Sequence, residues 1–233
     1  MVFVLFLFFW AKFKCLKKNY EGLQNMKFKK LLLVGAALIA LMPCFSHAVQ
    51  GQGFNEHVVQ RGESMWKISV KYQIGLSEII NANKEISNPA MIYPNQKLKI
   101  PNIDNVKNVE NEVLALVNQE RQRAGLQPLQ MDWELARVAR TKSQDMAQKN
   151  YFSHTSPTYG SPFDMMKQFG INFKAAGENI ASGQRNANEV MAAWMKSQGH
   201  RENILKPEFT HLGVGYYRGG SYGHMWTQMF ISK

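Results

Sequence analysis

Gly177-Glu178-Asn179-Ile180 decides how the C-terminal half of this chain reads. One carboxylate sits between a glycine and an asparagine, after Ile171-Asn172-Phe173 and before the glycine-ended Ala181-Ser182-Gly183. That pattern describes a short extended segment presenting a single acid from a mostly neutral surround. Histidines stand on both sides in turn-like stretches: Tyr151-Phe152-Ser153-His154-Thr155-Ser156-Pro157 before it and Trp194-Met195-Lys196-Ser197-Gln198-Gly199-His200 after it. Two imidazoles and a carboxylate are thereby expected in one cleft.

Outward from this stretch the chain alternates helix and strand signals. Val109, Val113, Leu116 and Val117 repeat at helical spacing, and Gly125 ends that helix. Asp132 is placed to cap the next, with Leu135, Val138, Ala139 and Met146 as its buried stripe. Ser161-Pro162 opens a third through Met165, Met166 and Phe169, and a fourth is expected after Asn188, carrying Val190, Met191 and Trp194. Strands are expected at Gly213 to Tyr217 and at His224 to Ile231.

These motifs in this order, closed by Trp226-Thr227-Gln228-Met229-Phe230, resemble the CAP superfamily of cysteine-rich secretory proteins, antigen 5, pathogenesis-related proteins and their bacterial SCP-like relatives. The resemblance runs over residues 109–233 and implies an α-β-α three-layer sandwich. It also implies a cleft of two histidines and two acids, onto which His154, Glu178 and His200 map. The second acid would fall three residues after Trp194, where this chain has Ser197. Two histidines and one carboxylate can hold a divalent cation such as zinc, with His154 and His200 as ligands and Glu178 as ligand or base for a bound water. Lacking the second acid, such a site carries less negative charge and is expected to bind weakly or not at all. Equally, His154 and His200 can act as struts that hydrogen-bond to Glu178 and stiffen the loops, with no metal and no catalysis. Glu202 is the nearby acid that could stand in for the missing one, although Arg201-Glu202 reads as a solvated helix edge. His211 and His224 lie outside the matched motifs. No activated nucleophile is evident, because adjacent side chains such as Ser153 and His154 commonly diverge.

Residues 55–101 form a second unit. His57-Val58-Val59-Gln60 alternates as a strand, Arg61-Gly62-Glu63 turns, and Ser64 caps a helix with Met65, Trp66, Ile68 and Tyr72 toward the core. Ser77 is expected to cap a second helix with Ile79, Ile80 and Ala82; Asn88-Pro89 breaks it, and Lys97-Leu98-Lys99-Ile100 returns as a strand. This strand-helix-helix-strand pattern, with Gly-Glu-Ser-Met-Trp-Lys-Ile and Ile92-Tyr93-Pro94-Asn95-Gln96-Lys97-Leu98-Lys99-Ile100-Pro101, resembles a LysM domain of βααβ fold. The resemblance implies binding of N-acetylglucosamine glycans, peptidoglycan or a chitin-like chain, at Gly62, Ser64 and Met65 together with Asn88, Pro89, Met91 and Ile92. Trp66 and Tyr93 are read as core aromatics. One copy is visible, so tandem avidity within the chain is not expected. Residues 102–108 read as a short polar linker.

Residues 26–48 have the parts of a secretory signal: Lys27, Lys29 and Lys30, an apolar run from Leu31 to Met42, and Ser46-His47-Ala48 as the cleavage site. The run falls short of the about 20 residues a spanning helix needs. Cleavage after Ala48 is expected; lipid attachment at Cys44 is the alternative, disfavoured by Pro43. Residues 1–25 fit no part of this scheme and read as an upstream extension, with Met26 as the expected start and a membrane-anchoring extension as the competing reading. Both cysteines, Cys15 and Cys44, precede Val49, so the processed chain is expected to lack disulfides and to depend on its core.

The net charge of +11 overstates the basicity of the body. Seven Lys and one Glu precede Val49, leaving 21 Lys+Arg and 16 Asp+Glu, or +5, for the remainder. No basic helix or arginine cluster points to nucleic acid. An α+β, secreted, wall- or spore-associated protein follows, in which LysM holds peptidoglycan and the CAP cleft meets a small ligand, lipid or protein. The alternative is a metal-dependent hydrolase of wall polymer or protein working through the CAP cleft.

Overall fold

The computed structural model describes residues 53–233. The expected upstream extension, signal segment and cleavage site lie outside the described residues. Among the described residues no helix is long and apolar enough to cross a membrane.

The first unit is the βααβ module. Strand β1 (Phe54–Val58) pairs antiparallel with β2 (Lys97–Pro101), from Phe54 opposite Pro101 to Val58 opposite Lys97. Helices α1 (Met65–Tyr72) and α2 (Leu76–Ala82) lie between them in sequence. Leu98 and Ile100 alternate into the core at the two-residue period of a strand and meet Val59, Met65, Ile68, Ile74 and Ile79. Ser64 caps α1 as expected, its hydroxyl accepting from Lys67 N–H at 3.3 Å. Ser77 does not cap α2; Gly75 stands at that position, and the Ser77 hydroxyl donates instead to Glu78 within the helix. The core assignment of Trp66 and Tyr93 is also corrected. They are 54% and 60% exposed, because Met65 and Ile68 already fill the inward face of α1 and Tyr93 lies in the loop before β2.

The linker expected at 102–108 is mostly helix. Helix α3 (Asp104–Arg123) is separated from β2 by two residues and runs straight into the second unit. Ile103 packs on the βααβ core, and Lys107 Nζ donates to Tyr72 O at 2.7 Å, at the C-terminus of α1. A cation there meets the unsatisfied carbonyls and the negative end of the helix dipole.

The second unit is a four-stranded sheet between helical layers. Its strands are β3 (Gln130–Met131), β4 (Ala175–Ser182), β5 (His211–Arg218) and β6 (His224–Ser232), in the order β3-β5-β6-β4. The short β3 is parallel to β5, and the other pairs are antiparallel. One face carries Leu212, Val214, Trp226 and Phe230 against α3 and α6 (Ala187–Lys196). The other carries Met229 and Ile231 against α4 (Trp133–Gln148) and α5 (Pro162–Gln168). This is the expected three-layer sandwich.

Helices α4, α5 and α6 start on side-chain caps, whereas α3 and the later helix Gln198–Ile204 have none. Asp132 accepts from Leu135 N–H at 2.9 Å, and Ser161 forms a reciprocal box with Asp164. Each such cap is worth about 1 kcal/mol. The cap of α6 is Asn186, accepting from Glu189 N–H, so Asn188 lies inside the helix rather than before it. Between α6 and β5 stands α7 (Gln198–Ile204), where a turn was expected around His200.

Candidate functional site

The cleft residues come from three elements. Glu178 lies on β4, an edge strand of the sheet, opposite Met229 and therefore on the face covered by α4. Its neighbour Asn179, opposite Gln228, points to the other face. There Asn179 Nδ2 donates to His200 O and to Gln228 Oε1, both at 3.0 Å, while Asn203 Nδ2 donates to Asn179 Oδ1 at 2.9 Å and to Glu178 O at 3.2 Å. The two asparagines thus lock α7 onto the edge of β4.

His154 and Glu178 meet directly, with Nδ1 and Oε1 2.7 Å apart. The Glu178 side chain is 1% exposed and that of His154 55%, so the carboxylate is hidden behind an imidazole that faces solvent. Glu178 Oε2 is buried without a hydrogen-bond partner among the described residues. Burial pushes the Glu178 carboxyl up from its ordinary range, against the His154 bond and the positive charge of Lys142. His200, on α7, is half buried; burial, then repulsion from His154, lowers its tendency to charge. Its ring makes no hydrogen bond to Glu178 among the described residues. The structure therefore joins His154 to Glu178 and leaves His200 as an electrostatic neighbour of His154.

The side chains do not fit a three-ligand ion. Among the described residues no group of three or more His, Cys, Asp or Glu side chains is placed to hold a metal. Ser197 stands between α6 and α7, and Glu202 is exposed, accepting from Gln198 at 2.9 Å on its own helix. Neither brings a second acid to the cleft. His211 and His224 sit at strand starts, bonded to Thr210 and Tyr216 respectively.

Two residues of α4 support the site without having been singled out in the sequence. Lys142 is fully buried, and Nζ donates to the carbonyls of Ser153 and His154, both at 2.8 Å. Asp145 accepts from Tyr151 Oη and Ser156 Oγ at 2.7 Å and from Thr158 Oγ1 at 2.6 Å. Burial works against ionisation of Asp145, yet the hydroxyls of Thr158, Tyr151 and Ser156 together hold its carboxyl below the usual range. Lys142 falls in the stripe of Val138 and Met146 at four-residue intervals, where a helix buries its apolar face, but a lysine at such a position ordinarily reads as exposed.

In the βααβ module Gly62 turns the β1–α1 loop at φ +83, a left-handed conformation suited to glycine. Glu63 shapes that loop, accepting from Gln60 N–H at 2.8 Å and pairing with the buried His57 ring at 2.7 Å. Of the expected glycan contacts, Gly62, Ser64, Asn88 and Met91 are exposed and Pro89 and Ile92 half buried. Met65 is 3% exposed and belongs to the core, so its side chain offers a glycan little surface.

A sheet between helical layers, with a glutamate on its edge strand paired to a loop histidine, defines a CAP domain, and the βααβ module before it defines a LysM domain. The chain belongs to the cysteine-rich secretory protein (CAP) family, whose model matches residues 114–230; the LysM domain model matches residues 57–101. Over 124 residues it is 63% identical to the uncharacterized protein YkwD of Bacillus subtilis, covering 53% of this chain and 47% of that protein. Over 45 residues it is 40% identical to the spore coat assembly protein ExsA of Bacillus cereus, covering 19% of this chain and 7% of the relative. The crystal structure of an extracellular SCP-domain protein of Bacillus anthracis superposes with a TM-score of 0.52 at 36% identity, covering 60% of this chain and 47% of the other. The chain spans less than half the length of each of these proteins.

Proposed function

We propose that this is a cell-envelope protein that holds peptidoglycan or related N-acetylglucosamine glycans through its LysM module and presents its CAP cleft to a ligand. The observation that carries the wall-binding half is the loop pair of the LysM module. Its polar backbone and side-chain groups stay exposed while Glu63 and His57 hold the first loop from behind. The ligand-binding half follows from His154. In the tautomer that donates Nδ1–H to Glu178, Nε2 is left as an acceptor on a side chain that is 55% exposed. Such a group receives a hydroxyl or amide proton without needing an ion. The relative named for spore coat assembly supports a wall or spore setting.

Sedimentation of the full chain with purified peptidoglycan tests this reading. Co-sedimentation that survives moderate salt, without release of soluble fragments, is expected. Attachment by general basicity would instead fade as salt shortens the Debye length to about 8 Å. Fragment release stopped by a chelator would replace the binding reading with a metal-dependent hydrolase.

A further inference from the structure

Burying an ammonium group costs several kcal/mol unless it is hydrogen-bonded and paired. Lys142 nonetheless occupies a core position of α4, with no exposed surface. Its hydrogen-bond partners belong to one loop: the carbonyls of Ser153 and His154 at 2.8 Å, and the Tyr151 hydroxyl at 3.3 Å. The Tyr151 ring lies 5.0 Å from Nζ, near enough for its face to share in holding the charge. Less than a turn along the helix, Asp145 takes the hydroxyls of Tyr151, Ser156 and Thr158 from the same loop. One helix thus holds residues 151–158 by a cation and an anion.

The two carbonyls bound by Lys142 have a geometric consequence. The Ser153 carbonyl belongs to the peptide plane before the His154 Cα, and the His154 carbonyl to the plane after it. Fixing two planar groups on either side of one Cα fixes its φ and ψ, and so the direction in which the side chain leaves. The imidazole is 55% exposed, so little packing would otherwise hold it against the carboxylate.

We propose that Lys142 is the positioning residue of the CAP cleft: by holding the peptide groups on both sides of His154, it fixes the imidazole against Glu178. The proposal rests on His154 and Glu178 being the working pair of the cleft. Lys142 is closed off from solvent and holds the carbonyls on both sides of His154, and its charge also favours the Glu178 carboxylate.

Nitrogen-15 NMR of the full chain reads the His154 Nδ1 proton, identified by its loss in His154→Ala. Each variant is measured well below its own melting midpoint, so that a lower global stability does not enter. In Lys142→Met and in Lys142→Gln, whose shorter side chain keeps a donor but cannot reach both carbonyls, this proton is expected to exchange on the order of tenfold faster, as for loss of one hydrogen bond. Lys142→Arg, whose fork can serve two carbonyls, is expected to stay close to the parent. Parent-like exchange in both the Met and Gln variants overturns the proposal. Unchanged exchange in Glu178→Ala would sink the pairing itself, and the proposal with it. Sedimentation with peptidoglycan depends on the LysM module and is expected at the parent level in every variant, so a failure of wall binding is read separately.

Discussion

At the residue scale the second oxygen of Glu178 sets the terms, because it is buried and, among the described residues, has nothing to accept from. Among the described residues only the His154 ring bonds the other oxygen, so His154→Ala removes the partner of that carboxylate. We expect that change to cost roughly 1 to 3 kcal/mol, with melting of parent and variant indifferent to zinc and to chelator. A parent melting temperature raised by zinc would turn the pair from a strut into a ligand set. Glu110 poses the same problem away from the cleft. It accepts from Arg140 at 2.6 Å and from Tyr216 N–H at 3.3 Å, yet burial pushes its carboxyl up to about 7 from 4.5. A carboxyl raised on folding stabilises fully below its unfolded value, and that contribution is lost as pH rises through the folded one. Stability is therefore expected to fall between about 4.5 and about 7, and Glu110→Gln to flatten that slope in melts across the range. A slope unchanged in the variant would assign it elsewhere. His154 and Glu178 were legible from chemistry and motif alone. Lys142 and Glu110 were not, since a charged residue in a helical stripe reads as exposed until its buried partners are seen.

At the element scale, the close approach of α4 to β5 governs where Lys142 and Asp145 sit. A Cβ on Gly215 would lie 2.0 Å from the backbone of Ala139, and one on Gly213 2.4 Å from that of Leu135. Backbone cannot swing aside like a side chain, so Gly215→Ala must lift α4 from the sheet. A loss of about 1 to 3 kcal/mol or more is expected, together with faster amide exchange over 151–158, the segment α4 holds. Destabilisation without any change in that segment would show that the loop stands independently of the helix. Elements with an apolar period and a cap, such as α4 and α5, were readable. Helix α7 was not: among its residues only Ile204 is buried, and its first turn carries a glycine, Gly199, so no stripe marks it. Strand β3 has two residues and earns its place by parallel pairing with β5, a contact the local sequence does not encode. Around Asn186-Ala187-Asn188 two identical side chains compete for one cap, and Glu189 decides for Asn186 by bonding back to it.

At the scale of the whole molecule, the seven residues from Asn102 to Asn108 decide whether wall binding and the cleft are joined flexibly or stiffly. Their polar composition reads as linker because Asp, Asn and Lys are common in mobile segments, but composition does not show that Ile103 reaches the LysM core or that Lys107 finds a helix C-terminus. With α3 continuous from Asp104 to Arg123, the join has only Asn102 and Ile103 outside regular structure. A protease needs an extended stretch of several residues, which this join supplies only if the first turn of α3 unwinds. Limited proteolysis should therefore spare 102–108 at enzyme levels that cut a Gly-Ser insertion placed after Asn102. Lys107→Ala should give intermediate protection, because it removes the bond to Tyr72 O while leaving Ile103 packed. Cutting of the parent within 102–108 as fast as the insertion variant, by a protease with no preference for lysine, would show that the first turns of α3 are frayed in solution. The LysM module would then act as a loose tether, and a glycan bound there would leave the orientation of the CAP cleft free.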